Sequence, residues 1–278
     1  MKKLFTILMI AITSLSFAKE NTTIKKTYSI NNITEFDFET ANIPVKVITT
    51  NGENIILTTI SDEKLEIKEN KDGSELKVEV SPALPFYKHI FNISFSFDNT
   101  TIVLEIPRKY NKKLNIKTKN ATINASNLNV TFEGETKNGE INITNITGNV
   151  ELETTNGELI VDNVKGMVNL ETTNGSINVT NADSIYKLKS KNGEINARGN
   201  ELLKDGSIKT TNGNIKLKIN HLRGNNEISS TNGKVSLLTN KGEFTISKFY
   251  KNEVEDTNKD IVIKTTNDDV SVDYNKVN

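Results

Sequence analysis

Five glutamates with a regular spacing are the residues of this sequence best placed to do chemistry. Glu135, Glu153 and Glu171 are equally spaced along the chain, and Glu133 and Glu151 precede the first two by two positions. Clustered carboxylates can bind divalent cations, and pairs of them can act as acid and base in glycoside hydrolysis. Either chemistry requires that the five side chains lie on one surface.

Lysines occupy the same positions further along the chain. Lys187 continues the column of Glu133 and Glu151, and Lys189 and Lys209 continue that of Glu171. On stacked strands this order places an acidic patch beside a basic one, which could bind cations weakly or match another molecule end to end. A calcium site needs oxygens that converge at about 2.3–2.6 Å, which a flat sheet rarely provides. The sequence therefore favours a solvated charged face, and it predicts no metal site, cofactor site or catalytic residue.

Other candidates for chemistry are isolated. His89 and His221 lie far apart and the chain has no cysteine, so a zinc site is not expected. No nucleophile elbow, phosphate loop or calcium-binding nonapeptide is present. Parallel β-helix enzymes that degrade polysaccharides use carboxylates with Arg or Lys, but this chain has only Arg108, Arg198 and Arg223 and no tryptophan. We predict a non-enzymatic protein, with a carbohydrate-active β-helix enzyme as the alternative.

The aromatic cluster from Phe86 to Phe97 has two interpretations. Phe91, Phe95 and Phe97 alternate with polar residues and would share one face of a strand. An exposed cluster could bind sugars or proteins, whereas a buried one would close the N-terminal end of a repeat array. Alternation on one face favours the buried plug.

A repeat positions all of these residues. The asparagines of successive Asn-Gly pairs increase in residue number by steps of 18, 18, 18, 20 and 20, and such a period is typical of stacked units. These asparagines are Asn138, Asn156, Asn174, Asn192, Asn212 and Asn232.

Apolar residues alternate with polar ones around each Asn-Gly pair. In the repeat of Asn174 they are Leu170, Ile177 and Val179. Period-two alternation indicates strands with one buried face. Stacking at ~4.8 Å would turn each column into an internal ladder. The sequence thus predicts an all-β fold, a single-stranded parallel β-solenoid (β-helix) of 18–20-residue coils with an irregular β-rich N-terminal cap.

The corners of the coils leave an alternative open. We expect the glycine of each Asn-Gly pair to supply a positive φ. A second asparagine column predicts the opposite corner. Because Asn-Gly is also the strongest hairpin signal, an antiparallel meander is possible, but a meander does not require residue types to align at a fixed period. The second column consists of Asn127, Asn145, Asn163 and Asn181.

The chain divides into three predicted parts. Residues 1–18 are predicted to be a secretory signal peptide, in which Lys2 and Lys3 precede an apolar run and small residues mark the cleavage site. Residues 19–113 are predicted to form the cap and first irregular coils. Within them, Val45–Thr50 followed by Asn51-Gly52 matches the sequence pattern of the later coils. Residues 114–278 form the solenoid, with an irregular excursion at 241–259.

Two details refine this division. In the first coil Asn120 is followed by Ala121 instead of the glycine that follows the next six corner asparagines. The 35 residues between Asn232 and Asn267 correspond to about two coils.

Charge and composition limit the partners. Without Lys2 and Lys3 the chain has 33 basic and 35 acidic residues, which argues against nucleic acid and anionic membranes. We expect no transmembrane span, and an exported protein that is periplasmic, cell-surface or secreted. Its partners would be a polysaccharide or a protein on a cell surface, and the sequence does not set the oligomeric state.

The residues also resemble a known family. The phrases Ile102–Pro107 and Leu114–Thr118, followed by repeated Asn-Gly-Glu-Ile-Asn, resemble bacterial "putative adhesin" β-strand-repeat proteins and the related head GIN domain of autotransporter adhesins. The resemblance implies a β-solenoid envelope protein with an adhesive, structural or envelope-stress role, and it supplies no catalytic residues. We expect a non-enzymatic adhesion or scaffold module of the cell envelope, with an envelope-stress regulatory component as a further alternative.

Overall fold

The computed structural model describes residues 21–83, 100–239, 248–250, 253–256, 261–267 and 269–274. These residues form strands and, within the described ranges, no helix. The first strands are β1 (Thr22–Ser29), β2 (Glu35–Thr40), β3 (Val45–Thr50), β4 (Asn54–Ser61), β5 (Leu65–Asp72), β6 (Glu75–Pro82), β7 (Thr101–Pro107), β8 (Lys113–Lys117), β9 (Ile123–Leu128), β10 (Thr131–Thr136) and β11 (Ile141–Thr147). The others are β12 (Val150–Thr154), β13 (Leu159–Thr172), β14 (Ile177–Ser190), β15 (Ile195–Thr210), β16 (Ile215–Leu222), β17 (Asn226–Ser230), β18 (Val235–Thr239), β19 (Lys248–Tyr250), β20 (Glu253–Asp256), β21 (Ile261–Thr265) and β22 (Val270–Tyr274).

The strands stack as parallel coils, as the sequence predicts. Each coil contributes one strand to a first layer, turns at an asparagine corner and contributes a second strand to a second layer. From β8 to β18 all pairings are parallel, so the antiparallel meander is wrong for this array. Leu170 pairs with Leu152 and Leu188, its equivalents one period away on either side, and Leu188 pairs in turn with Ile208.

The first layer contains β6, β2, β8, β10, β12, the C-terminal halves of β13, β14 and β15, and then β17 and β21. The second layer contains β7, β3, β9, β11, the N-terminal halves of β13, β14 and β15, and then β16, β18 and β22. The apolar columns point between the layers. Leu170 and Ile177 are fully buried, which confirms their predicted inward orientation.

The N-terminal coils do not stack in chain order. The coil formed by β2 and β3 lies between the β6–β7 coil and the β8–β9 coil. The corner of this coil is at Asn42. The repeat-like sequence Val45–Gly52 therefore does not mark a stacked corner, contrary to the interpretation of the sequence. Asn120 does occupy a corner, since its Nδ2 donates to Asn42 Oδ1 at 2.5 Å.

Antiparallel strands flank both layers at the N-terminal end of the stack and the first layer at its C-terminal end. At the N-terminal end β5 pairs with β6, and β4 pairs with β7 and β1. At the C-terminal end β21 and β22 pair directly with β17 and β18. The segment between Asn232 and Asn267 therefore makes one coil rather than two, because part of the excursion forms the hairpin β19–β20 on the edge of β21.

The glycines of the Asn-Gly corners have a different role from the predicted one. Positive φ among glycines occurs at Gly73, Gly148 and Gly166 of the described residues, and not at the stacked Asn-Gly corners. A Cβ at Gly157 would lie only 1.6 Å from the carbonyl oxygen of Gly139 in the preceding coil. Glycine is required there because successive corners approach too closely for any side chain.

The second asparagine column forms the opposite corner, as predicted, and these asparagines supply the left-handed conformation themselves. Asparagine tolerates this conformation better than most residues. The φ angles are 60° at Asn127, 57° at Asn145, 55° at Asn163 and 55° at Asn181.

Candidate functional site

The five glutamates lie together on the outer face of the first layer. Glu133 pairs in register with Glu151, and Glu153 pairs with both Glu135 and Glu171. They occupy three adjacent strands, β10, β12 and β13, with strand spacing of ~4.8 Å. The sequence columns therefore place these carboxylates correctly on one surface, which we call the acidic face.

Lysines neutralise the N-terminal side of the acidic face. Lys113 Nζ lies 3.0 Å from carboxylate oxygens of both Glu35 and Glu133. Lys117 Nζ lies 2.7 Å from Glu135 Oε2. The Lys113 hydrogen bond lowers the pKa of Glu35. The sequence columns did not reveal the contact of Glu35, because Glu35 belongs to β2, which reaches this surface only through the out-of-order stacking.

Lysines also form ion pairs at the C-terminal side of the acidic face. Lys187 Nζ lies 2.8 Å from Glu171 Oε2, and Lys189 pairs with the other oxygen of the same carboxylate. Hydrogen bonds from Lys187, and then from Lys189, lower the pKa of Glu171. The predicted basic patch therefore lies beside the acidic face, but Lys187 and Lys189 both form ion pairs with Glu171.

Two carboxylates in the centre of the acidic face have no cationic partner among the described residues. Glu151 Oε1 accepts a hydrogen bond from Asn169 Nδ2 at 3.1 Å. Glu153 lies between Glu135 and Glu171 in register and forms no described ion pair. Like charges in directly opposed positions destabilise a sheet. A partner that brings hydrogen-bond donors or positive charge to this position would relieve that cost.

A groove of about 960 Å³ runs over the first layer beside these carboxylates. Its lining mixes acidic and basic side chains from five strands, including Asp37, Glu75, Lys117 and Glu153. At the N-terminal end of the groove, the neighbouring Asp37 raises the pKa of the Glu75 carboxyl.

The lining of this groove contains two buried polar atoms that are not hydrogen-bonded to any described residue. They are Asn115 Oδ1 and Thr40 Oγ1. Asn115 Nδ2 is engaged, because it donates to Glu35 Oε1 at 2.7 Å and also to Asp37. Buried polar groups are generally hydrogen-bonded. These two atoms have almost no exposed surface, so they lie beneath the groove. The accessible, unpaired carboxylate of Glu153 makes the groove the candidate site among the described residues.

The outer face of the second layer has a different chemistry. Asparagine side chains bond from coil to coil, as between Asn142 and Asn124 at 3.1 Å. Towards the C-terminal end a second groove of about 510 Å³ is lined by Arg198, Lys216 and Lys218, among others. Arg198 and Lys218 pair in register. Sequence reasoning missed this basic cluster, although Arg198 lies six residues after Asn192, and Lys216 and Lys218 lie four and six residues after Asn212.

The other candidates from the sequence are dispersed. His221 pairs in register with Glu201, whose carboxylate binds Arg223 Nε at 2.8 Å. In the described ranges no three histidine, aspartate or glutamate side chains are grouped so that they could hold a metal ion. His89 and the Phe86–Phe97 cluster lie outside the described residues, as does the predicted signal peptide at 1–18.

Among the residues that the structure describes, there is no helix with the length and apolar character needed to cross a bilayer.

Acidification should weaken the contacts of Glu171. Its pKa is lowered in the folded state, so the stabilisation is present above the ordinary glutamate pKa of about 4.3 and is lost as the pH falls through the folded-state value. We expect at most about 1 kcal/mol, because Glu171, Lys187 and Lys189 are 35%, 38% and 51% exposed. Urea unfolding of wild type and Glu171→Gln as a function of pH measures this. The difference should be largest near neutral pH and should vanish in acid; a difference that persists in acid would contradict the assignment.

The fold and this surface define a class of protein: a two-layered parallel β-solenoid with charged and polar outer faces. The chain belongs to the Toastrack DUF4097 family, whose model matches residues 33–273.

A solved structure agrees with this fold. The chain is similar to a putative adhesin from Bacteroides fragilis NCTC 9343, with 13% identity and a TM-score of 0.50 over 78% of this chain and 97% of that one. It is also similar to a putative adhesin from Parabacteroides merdae ATCC 43184, with 15% identity and a TM-score of 0.47 over 93% and 98% of the two chains. The comparison with curated proteins gives no match.

Proposed function

We propose that this chain is an exported, non-enzymatic module of the cell envelope that makes adhesive or scaffolding contacts through its outer faces. Residues 1–18 would direct export, and the stack of coils would present the contact surface. The description of the Bacteroides fragilis neighbour as a putative adhesin supports the same class of role.

The groove on the first layer carries this proposal. Its lining crosses five adjacent strands and includes the unpaired Glu153 and the carboxylates of Asp37 and Glu75. An extended polymer with hydroxyl or amide donors, such as a surface polysaccharide or an extended protein segment, fits these groups. Repetition along the stack would allow many weak contacts to add up.

Binding to surface polymers tests the proposal. The mature protein is screened against cell-wall and capsular polysaccharides and against matrix proteins, and the bound polymers are analysed for cleavage. We expect binding without cleavage products. The absence of any bound polymer would contradict the adhesive role, and time-dependent cleavage would favour the carbohydrate-active enzyme instead.

Two matched variants locate the binding surface. Glu153→Gln removes an unpaired carboxylate from the groove without breaking a described ion pair. Asp162→Asn removes a carboxylate from the outer face of the second layer, where Asp162 pairs in register with Thr144 and Thr180. We expect the first variant to change affinity several-fold and the second to leave it unchanged; the opposite result would place the contact on the second layer.

A further inference from the structure

The chain contains seven Asn-Gly pairs, and the structure places them in two different environments. Six form the stacked corners, and the seventh, Asn51-Gly52, lies between β3 and β4 outside the corner column. Asn51 and Gly52 are both exposed, whereas Gly157 and most other corner glycines are buried.

Asn-Gly pairs are the dipeptides most prone to spontaneous deamidation. The backbone nitrogen of the glycine, after losing its proton to solvent base, attacks the side-chain Cγ of the asparagine and forms a new C–N bond. The bond from Cγ to Nδ2 breaks and ammonia leaves, which gives a cyclic succinimide. Water then opens the ring to aspartate or isoaspartate. The reaction needs a free glycine nitrogen, a side chain that can rotate towards it and a leaving amide that is not held.

The stacked corners hinder all three requirements. Gly157 N donates to Thr154 Oγ1 at 3.1 Å, and Thr154 Oγ1 donates to the Gly139 carbonyl at 3.3 Å. Asn156 Nδ2, the leaving group, donates to Asn138 Oδ1 at 2.6 Å.

The same ladder of side-chain amides continues along the corners at 2.5–2.7 Å, so each interior asparagine is held by its nitrogen and by its oxygen. Its members are Asn42, Asn120, Asn138, Asn156, Asn174, Asn192, Asn212, Asn232 and Asn267. Rotation of one side chain would break two of these bonds.

Asn51-Gly52 has a glycine hydrogen bond like that of the corners, but it lacks the amide ladder and the closely stacked neighbouring coil. Asn51 Oδ1 accepts a hydrogen bond from Arg108 Nε at 2.8 Å, but Asn51 Nδ2 has no described partner. Gly52 N donates to Thr50 Oγ1 at 3.2 Å in an exposed turn. The closest atom to a Cβ at Gly52 would be Thr50 Oγ1 at 3.6 Å, so no neighbouring coil limits the movement of this segment.

We propose that Asn51 is a site of spontaneous deamidation in the folded protein, and that stacking protects the six corner asparagines. The inference does not depend on the proposed function.

Peptide mapping by mass spectrometry tests the proposal. The full chain is aged in mildly alkaline buffer and the deamidated fraction of each Asn-Gly peptide is followed with time. We expect Asn51 to react at least about tenfold faster than any corner asparagine. A tenfold difference in rate corresponds to a free energy of local opening of about 1.4 kcal/mol at the corners. Aspartate and isoaspartate should both form at Asn51.

Two controls separate the fold from the local sequence. In concentrated urea the seven sites should react at similar rates, because the ladder is gone. Gly52→Ala should slow the reaction at Asn51 in the folded chain and leave the corner peptides unchanged. Equal rates at Asn51 and at the corners in the folded chain, or an unreactive Asn51 beside reactive corners, would overturn the proposal.

Discussion

Replacing Gly157 with alanine is expected to lower the free energy of unfolding by about 3 kcal/mol or more. The added Cβ would lie 1.6 Å from the carbonyl oxygen of Gly139, and that oxygen belongs to the backbone of the preceding coil. Relief would require the two coils to separate, which would strain nearby bonds such as that from Asn156 N to the Lys137 carbonyl oxygen at 2.9 Å.

Urea unfolding followed by circular dichroism measures this change, and the chain offers a matched control. Gly52 also follows an asparagine, but its environment is open and its φ is not in the left-handed region. Gly52→Ala should therefore alter stability by less than about 0.5 kcal/mol. Equal stability of the Gly157→Ala protein and wild type would show that the corners are not packed as described.

Leu170→Asp should be more damaging still, and we expect a loss of at least about 4 kcal/mol or failure to fold. Leu170 is fully buried between Leu152 and Leu188 in the internal ladder. The substitution removes apolar contacts and places a carboxylate where no polar partner is available. Thermal unfolding of the purified variant, or its recovery in inclusion bodies, reports the effect.

Ile160→Asp is the matched control for this prediction. Ile160 lies in the same strand, but its side chain is on the outer face, between Asn142 and Asn178 in register. The same change of side chain should cost no more than about 1 kcal/mol there, because the new carboxylate stays in water. Similar losses in the two variants would mean that the inward and outward columns are wrongly assigned.

Column alignment predicts the regular part of the fold well, for a physical reason. Stacked coils place equivalent residues above one another, so burial at Leu152, Leu170 and Leu188 must repeat with the sequence period. The same argument places Glu135, Glu153 and Glu171 in one outward row.

Features that break the period could not be predicted in this way. The β2–β3 coil has Asn42 at its corner with no glycine after it, while Asn51-Gly52 carries the expected phrase at a position outside the corner. Nothing local to β2 specifies β6 and β8 as its neighbours, because that pairing follows from three-dimensional packing. The role of the corner glycines also depends on the distance between coils.

The candidate site shows the same limit. The row of glutamates is predictable from the columns, but the free carboxylate of Glu153 is recognised only when Lys117 and Lys189 are seen to pair with its neighbours Glu135 and Glu171. The groove itself includes residues of β2 and β6, which the sequence assigned to an irregular cap.

The out-of-order stacking of the β2–β3 coil has a mechanical consequence. When tension is applied from the N-terminal side, β1 can peel away because it is bonded only to β4 among the described strands. The next strand to carry the load is β2, which is bonded on one side to β6 and on the other to β8. Its extraction must break both rows of hydrogen bonds together, whereas a terminal coil could unzip along one row. The connectivity therefore acts as a clamp against tension applied from the N-terminal side, a property that the proposed adhesive role would require.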